Sequence, residues 1–171
     1  MISTIIAYFE DKATKLKDIA HNPAGKKAFF FADEYGDDME LQKALRSVAN
    51  STVMVLINPS GRFGDVSKSD NYRTDAIAIL WILKKKKASD TSVEVRALFD
   101  STFNTCRKLT NRINKQRQER DEDLPFSLTE STYDFQAVNN YGDGYCGHEI
   151  RISYNMDYEH TVDNNDWTDL D

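Results

Sequence analysis

Cysteine is scarce in this chain, two residues in 171, and so few cannot form the disulfide framework that staples small secreted domains. Cys106 and Cys146 stand in unlike settings and read as free thiols of a reducing compartment. Long apolar runs are missing too. The longest, Ala76 to Leu83, falls far short of the ~20 residues that a membrane-spanning helix needs. Met1-Ile2-Ser3-Thr4 offers neither a charged stretch nor a long apolar one, so no export signal is expected and the cytoplasm is the expected compartment. No phosphate loop, dinucleotide fingerprint or nucleophile elbow appears, and Gly61-Arg62-Phe63-Gly64 is an isolated fragment. Basic residues nearly vanish after position 120. Only Arg151 stands there against 13 acids, whereas residues 1–120 hold 21 Lys and Arg against 15 acids. A net charge of −6 therefore conceals a basic body and an acidic C-terminal third, which suits either pairing between unlike surfaces or a solvated acidic tail.

What is present is ordinary globular composition, 40% hydrophobic and 11% aromatic, of a length that one domain accommodates. The organising stretch is Val93–Glu119. Val95, Leu98, Phe99, Thr102, Phe103, Cys106, Leu109 and Ile113 recur at spacings of three and four, the stripe of an amphipathic helix. Ser89, Asp90, Thr91 and Ser92 are candidate N-caps, and Leu124-Pro125 stops the run. Asp75–Lys86 is the strongest strand and is apolar on both faces, which predicts a central place in a sheet covered on each side. An N-terminal helix from Ile2 to about Ala20, a strand Ala28–Ala32, a short helix from Met39 and a strand Val53–Ile57 precede it. Asn58-Pro59-Ser60-Gly61 closes that strand, and Arg62–Asn71 reads as a polar loop. Ser127–Val138 and Glu149–Tyr158 read as a hairpin across the turn Asn139–Gly144. In the second strand Ile150, Ile152, Tyr154, Met156 and Tyr158 face inward, and Glu149, Arg151, Ser153, Asn155 and Asp157 face water. The predicted fold is α+β: a mostly antiparallel sheet with helices packed on one face, one domain over residues 1–160 and an acidic tail over 161–171.

Residues with chemical potential are few and scattered. Cys146, His148 and His160 lack the paired spacings of zinc ligands and read as turn and surface residues. Cys106 reads as a small apolar member of the helix stripe. The acidic turn Asp33–Asp38 suits the capping of the helix at Met39 better than a cation loop. No catalytic, cofactor-binding or metal-binding residues are assigned, and no cofactor is expected. Lys84-Lys85-Lys86-Lys87 and the basic run Arg107–Arg120 are candidate phosphate contacts, although neither carries interleaved aromatics for base stacking.

The N-terminal helix, Phe31-x-Asp33…Leu41…Leu45-Arg46 leading into Val53–Ile57, the strand Ala76–Leu83, the helix Val93–Arg117 and the closing strand Gly147–Tyr158 come in a telling order. In order and length these elements resemble the tail-terminator and neck–tail completion proteins of tailed bacteriophages. That resemblance implies a small α+β protomer without an active site. It would assemble as a ring, commonly a hexamer, that ends the tail tube and meets the neck or connector, with DNA passing through. The protein would then reside in the host cytoplasm during assembly and afterwards in the virion. Ring contacts join one surface to a different one, so Arg107, Lys108, Arg112, Lys115 and Arg117 are expected to face Asp157, Glu159 and Asp163 of the next copy. Two other expectations stand beside this one. One is a monomeric adaptor or nucleic-acid-binding accessory protein using residues 84–87 and 107–120; the other is a small hydrolase built from scattered acids and His148.

Overall fold

The computed structural model describes residues 2–32, 39–48, 51–65, 72–119, 124–128, 133–142 and 144–157. In chain order its elements are α1 (Ile2–Lys15), β1 (Phe29–Ala32), α2 (Met39–Arg46), β2 (Val53–Asp65) and β3 (Tyr72–Lys85). Then come α3 (Ser92–Glu119), β4 (Ser127–Leu128), β5 (Asp134–Tyr141) and β6 (Tyr145–Asp157). Among the described residues the strands form one six-stranded sheet in the order β1-β2-β3-β6-β4, with β5 also paired to β6. Only β1 and β2 run parallel. The class is α+β, with a mostly antiparallel sheet.

β3 is central, between β2 and β6. Its register sets Leu80 opposite Leu56 and Ile150, and Ala78 opposite Ile152, so all of these share one face. The amphipathic faces of α1 and α3 close over that face. Ile5, Phe9 and Ala13 of α1 and Cys106, Leu109 and Ile113 of α3 are buried in a common core with it. Phe126 plugs the end of this layer against Tyr8, Phe9 and Tyr154. The other face of β3 is covered only in part. Trp81 and Leu83 are buried, Ile79 is half-buried, and Ile77 is 41% exposed. The expectation of cover on both faces therefore holds for the second half of the strand alone. There the hydroxyl of Tyr145, opposite Lys85, lies 2.7 Å and 2.8 Å from the carbonyl oxygens of Leu45 and Val48. Those contacts bring the end of α2 to this face.

Local chemistry explains where the elements stop. At the start of α3 the Glu94 carboxylate accepts from the Thr91 backbone N–H at 2.7 Å, while the Thr91 hydroxyl accepts from the Glu94 N–H at 3.3 Å. This reciprocal pair satisfies two amides that the helix cannot, and it selects Thr91 from the four candidate caps. α1 ends at Lys15, earlier than the apolar periodicity predicts. Ala20 has φ 50°, outside the right-handed helix, yet Ile19 is fully buried, so its apolar side chain packs from a turn instead. β2 also departs from expectation: it runs through Pro59 to Asp65 instead of stopping at Ile57. A register shift between Ile57 and Ser60 absorbs the proline, which has no N–H to give a ladder. The expected strand Ser127–Val138 is divided into β4 and β5, and residues 129–132 lie outside the described set. β5 continues through Asn139 and Asn140 to Tyr141, where turn chemistry suggested a loop. Asn140, at φ 58°, sits in the register shift between Val138 and Tyr141.

Candidate interaction surfaces

The cations of α3 do not form one patch. At 100° per residue, Lys108, Arg112 and Lys115 fall on the flank turned toward α1, whereas Arg117 falls on the opposite flank and Arg107 between them. All five are exposed. Lys108 is already engaged within the chain, its Nζ 2.6 Å from Asp18 Oδ2, where Thr105 Oγ1 also donates at 3.1 Å. The Lys108 ammonium holds the Asp18 carboxyl below its usual pKa, against a smaller opposing effect of burial. Lys115 lies 3.5 Å from Glu119. Of the expected acidic partners, Glu159 and Asp163 lie outside the described residues, and Asp157 is described only by its backbone pairing with Arg73.

Between α1 and α3 runs a groove of about 300 Å³ lined by Lys12, Lys15, Leu16, Lys108, Leu109 and Arg112. Lys12 and Lys15 escaped the sequence reading because α1 is unremarkable in charge on its own; only the packing brings its lysines beside those of α3. Lys12 is buried, stacked over the Tyr8 ring at 4.5 Å and 3.2 Å from Asp11. Lys15 lies 2.8 Å from the same carboxylate. The strand-end lysines behave differently. Lys84 donates to Ser101 at 3.0 Å and Lys85 sits 5.9 Å from the Tyr145 ring centre, so both are partly covered, while Lys86 and Lys87 are exposed.

Two residues placed at turn or water-facing positions are buried instead. Glu149 is 1% exposed. It accepts from Trp81 Nε1 at 2.9 Å, Gln136 Nε2 at 3.0 Å and Arg151 Nε at 2.6 Å. A carboxylate held by that many donors stays satisfied away from water. Asp134, Phe135, Gln136, Glu149 and Arg151 line a shallow cavity of about 290 Å³ around it. His148 is likewise buried on the face beneath α3, ringed by Phe99, Phe103 and Phe135 at 5.6–6.3 Å between centroids. The Thr102 hydroxyl donates to the Phe99 carbonyl at 3.0 Å, which leaves its lone pair to accept from His148 Nδ1 at 2.9 Å. Burial among the rings pushes the His148 pKa below its usual value, and Asp100 only partly opposes this. Cys146 is not a turn residue but a buried member of β6; Cys106 lies in the helix stripe as expected. Burial pushes the Cys106 thiol up to about 12 and raises Cys146 also. His160 and the turn Asp33–Asp38 lie outside the described residues.

Among the described residues no group of three or more His, Cys, Asp or Glu is placed to hold a metal ion, and no helix is long and apolar enough to cross a membrane. No protein-family model matches the chain, and no curated protein is significantly similar to it.

Proposed function

We propose that this chain is a structural protein of a tailed-phage-like particle, self-assembling into a ring at the junction of tail and neck. The observation that carries the reading is the separation of charge. Exposed cations line the α1–α3 side of the protomer, while the C-terminal third holds 13 acids with one arginine. Unlike surfaces on one protomer pair head to tail, and such heterologous contacts close into rings when the rotation permits. The half-covered face of β3 at Ile77 adds apolar area to an interface. The tail tube and a neck or connector protein are the neighbours that the resemblance supplies, the ring being a hexamer threaded by DNA. The experiment is the solution mass of the purified chain by light scattering at low and high salt. A multi-copy species that dissociates with salt supports the ring; a strict monomer at every concentration overturns self-assembly.

A second reading has the same groove as its motive: a monomeric accessory protein that holds nucleic-acid phosphates with the exposed Lys15, Lys108 and Arg112, and with Lys86 and Lys87 after the strand end. Retention on DNA that falls steeply with salt, from a chain that stays monomeric, favours that reading over the ring.

A further inference from the structure

The groove between α1 and α3 is lined by cations and apolar side chains together. Lys15, Lys108 and Arg112 are exposed in it, Leu16 is half-buried, and Lys12 and Leu109 are buried. Within the chain, Asp11 faces Lys12 and Lys15, and Asp18 faces Lys108. Four cations thus meet two carboxylates, and Arg112 has no ion pair among the described residues. A solvated anion alone gains little at such an exposed rim, where surface pairs are weak and screened by salt. A ligand that fits must bring negative charge and an apolar anchor together, because burial of the anchor is what makes a local contact strong.

The last 14 residues of the chain have that composition. Residues 158–171 contain Glu159, Asp163, Asp166, Asp169 and Asp171 with no lysine or arginine, and Trp167 and Leu170 stand among the last three of these acids. We propose that the groove receives the segment 158–171 of a second copy. Trp167 rests against Leu16 beside Leu109, and Asp166 and Asp169 face Lys15 and Arg112. The proposal deepens the ring reading and rests on it for the donor being a second copy. It names a contact absent from the expected set, since two of the four cations belong to α1 and the anchor is aromatic.

The test uses full-length chains and a fluorescein-labelled synthetic peptide of residues 158–171. The receiver carries a neutralised tail, Glu159→Gln with Asp163→Asn, Asp166→Asn, Asp169→Asn and Asp171→Asn, so that its groove has no competing occupant of equal charge. Fluorescence anisotropy at low salt is expected to show saturable binding. Lys15→Glu with Arg112→Glu in the receiver, or Trp167→Ala in the peptide, is expected to weaken it at least tenfold. Both groove positions are exposed, and circular dichroism checks that the double variant folds. Absence of saturation, or an affinity indifferent to those substitutions, overturns the groove. Wild-type rings together with no peptide binding overturn the groove and spare the assembly reading. A wild-type chain that binds the peptide yet stays monomeric overturns the ring and the second copy together. The donor is tested by mixing the neutralised-tail chain with full-length Lys15→Glu/Arg112→Glu. A two-copy complex in the mixture, absent from either chain alone, supports a second copy; peptide binding without that complex assigns the segment to its own groove and overturns the second copy.

Discussion

Cys106 and Cys146 are each 4% exposed, and burial raises both thiol pKa values, that of Cys106 to about 12. Only the thiolate reacts at an appreciable rate. At pH 8 an alkylating reagent is therefore expected to leave both thiols of the native chain intact and to modify both in denaturant. Rapid labelling of either in the native chain contradicts the packing described. His148 gives a second expectation at this scale. Its folded pKa lies below the unfolded one, so above the unfolded value, about 6.5, neither state holds the proton and the aromatic nest contributes fully. As pH falls from there toward the folded value, the unfolded chain binds the proton first and stability declines. The urea midpoint is expected to fall between pH 7 and pH 5, and less steeply in His148→Gln. Equal slopes remove His148 as the titrating group. Neither His148 nor Glu149 was legible as buried from the chain. Their partners, Thr102 for the one and Trp81 for the other, are 46 and 68 positions away, and period-2 alternation carries no trace of them. Trp81 lies in a strand whose pattern is apolar on both faces, but its indole N–H is what allows a carboxylate to lie beneath it.

Elements were more legible than sites. The helix α3, the central strand β3 and the closing strand β6 follow from periodicity, because each buries a continuous face and the pattern of burial is local in sequence. β5 is exposed from Asp134 to Asn140 apart from half-buried Val138, and carries no such pattern. What failed was local geometry whose cause is distant. Ile19 enters the core from a turn beyond the end of α1, and β2 passes Pro59 by means of a register shift. Gly147 shows how closely two such elements meet. It lies opposite Leu83 in the β3–β6 ladder, and a Cβ there would run into the carbonyl oxygen of Ile82, with the Ile82 carbonyl carbon and Leu83 Cα each at 3.1 Å. The backbone of β3 cannot yield as the tip of a flexible side chain does. Gly147→Ala is expected to cost about 2–4 kcal/mol, the scale of overpacked or strained core positions, measured as a shift of the urea midpoint at unchanged slope. A loss below about 0.5 kcal/mol, ordinary for a surface site, contradicts this register.

At the scale of the whole molecule, the sheet and its two long helices leave charge as the main asymmetry, and the structure divides that charge more finely than the sequence does. Lys108 spends part of its field on Asp18 at 2.6 Å and Lys115 on Glu119 at 3.5 Å, whereas Arg112 stands at the groove between the helices. Reversal of Arg112 therefore removes more of the attraction available to a neighbouring copy than reversal of Lys115. Each change alone touches an exposed side chain and leaves the fold intact, since surface substitutions fall within about 0.5 kcal/mol. Arg112→Glu is expected to shift the light-scattering mass toward monomer at a salt concentration where the wild-type chain is still assembled. Lys115→Glu is expected to shift it less, because Glu119 already offsets that cation, and the pair to shift it most. The order matters more than the size. If Lys115→Glu proves the more disruptive, the contact lies farther along α3 than the groove. If neither changes the mass of an assembled wild type, unlike charge is not what joins the copies, and the exposed flank of β3 around Ile77 becomes the surface to substitute next.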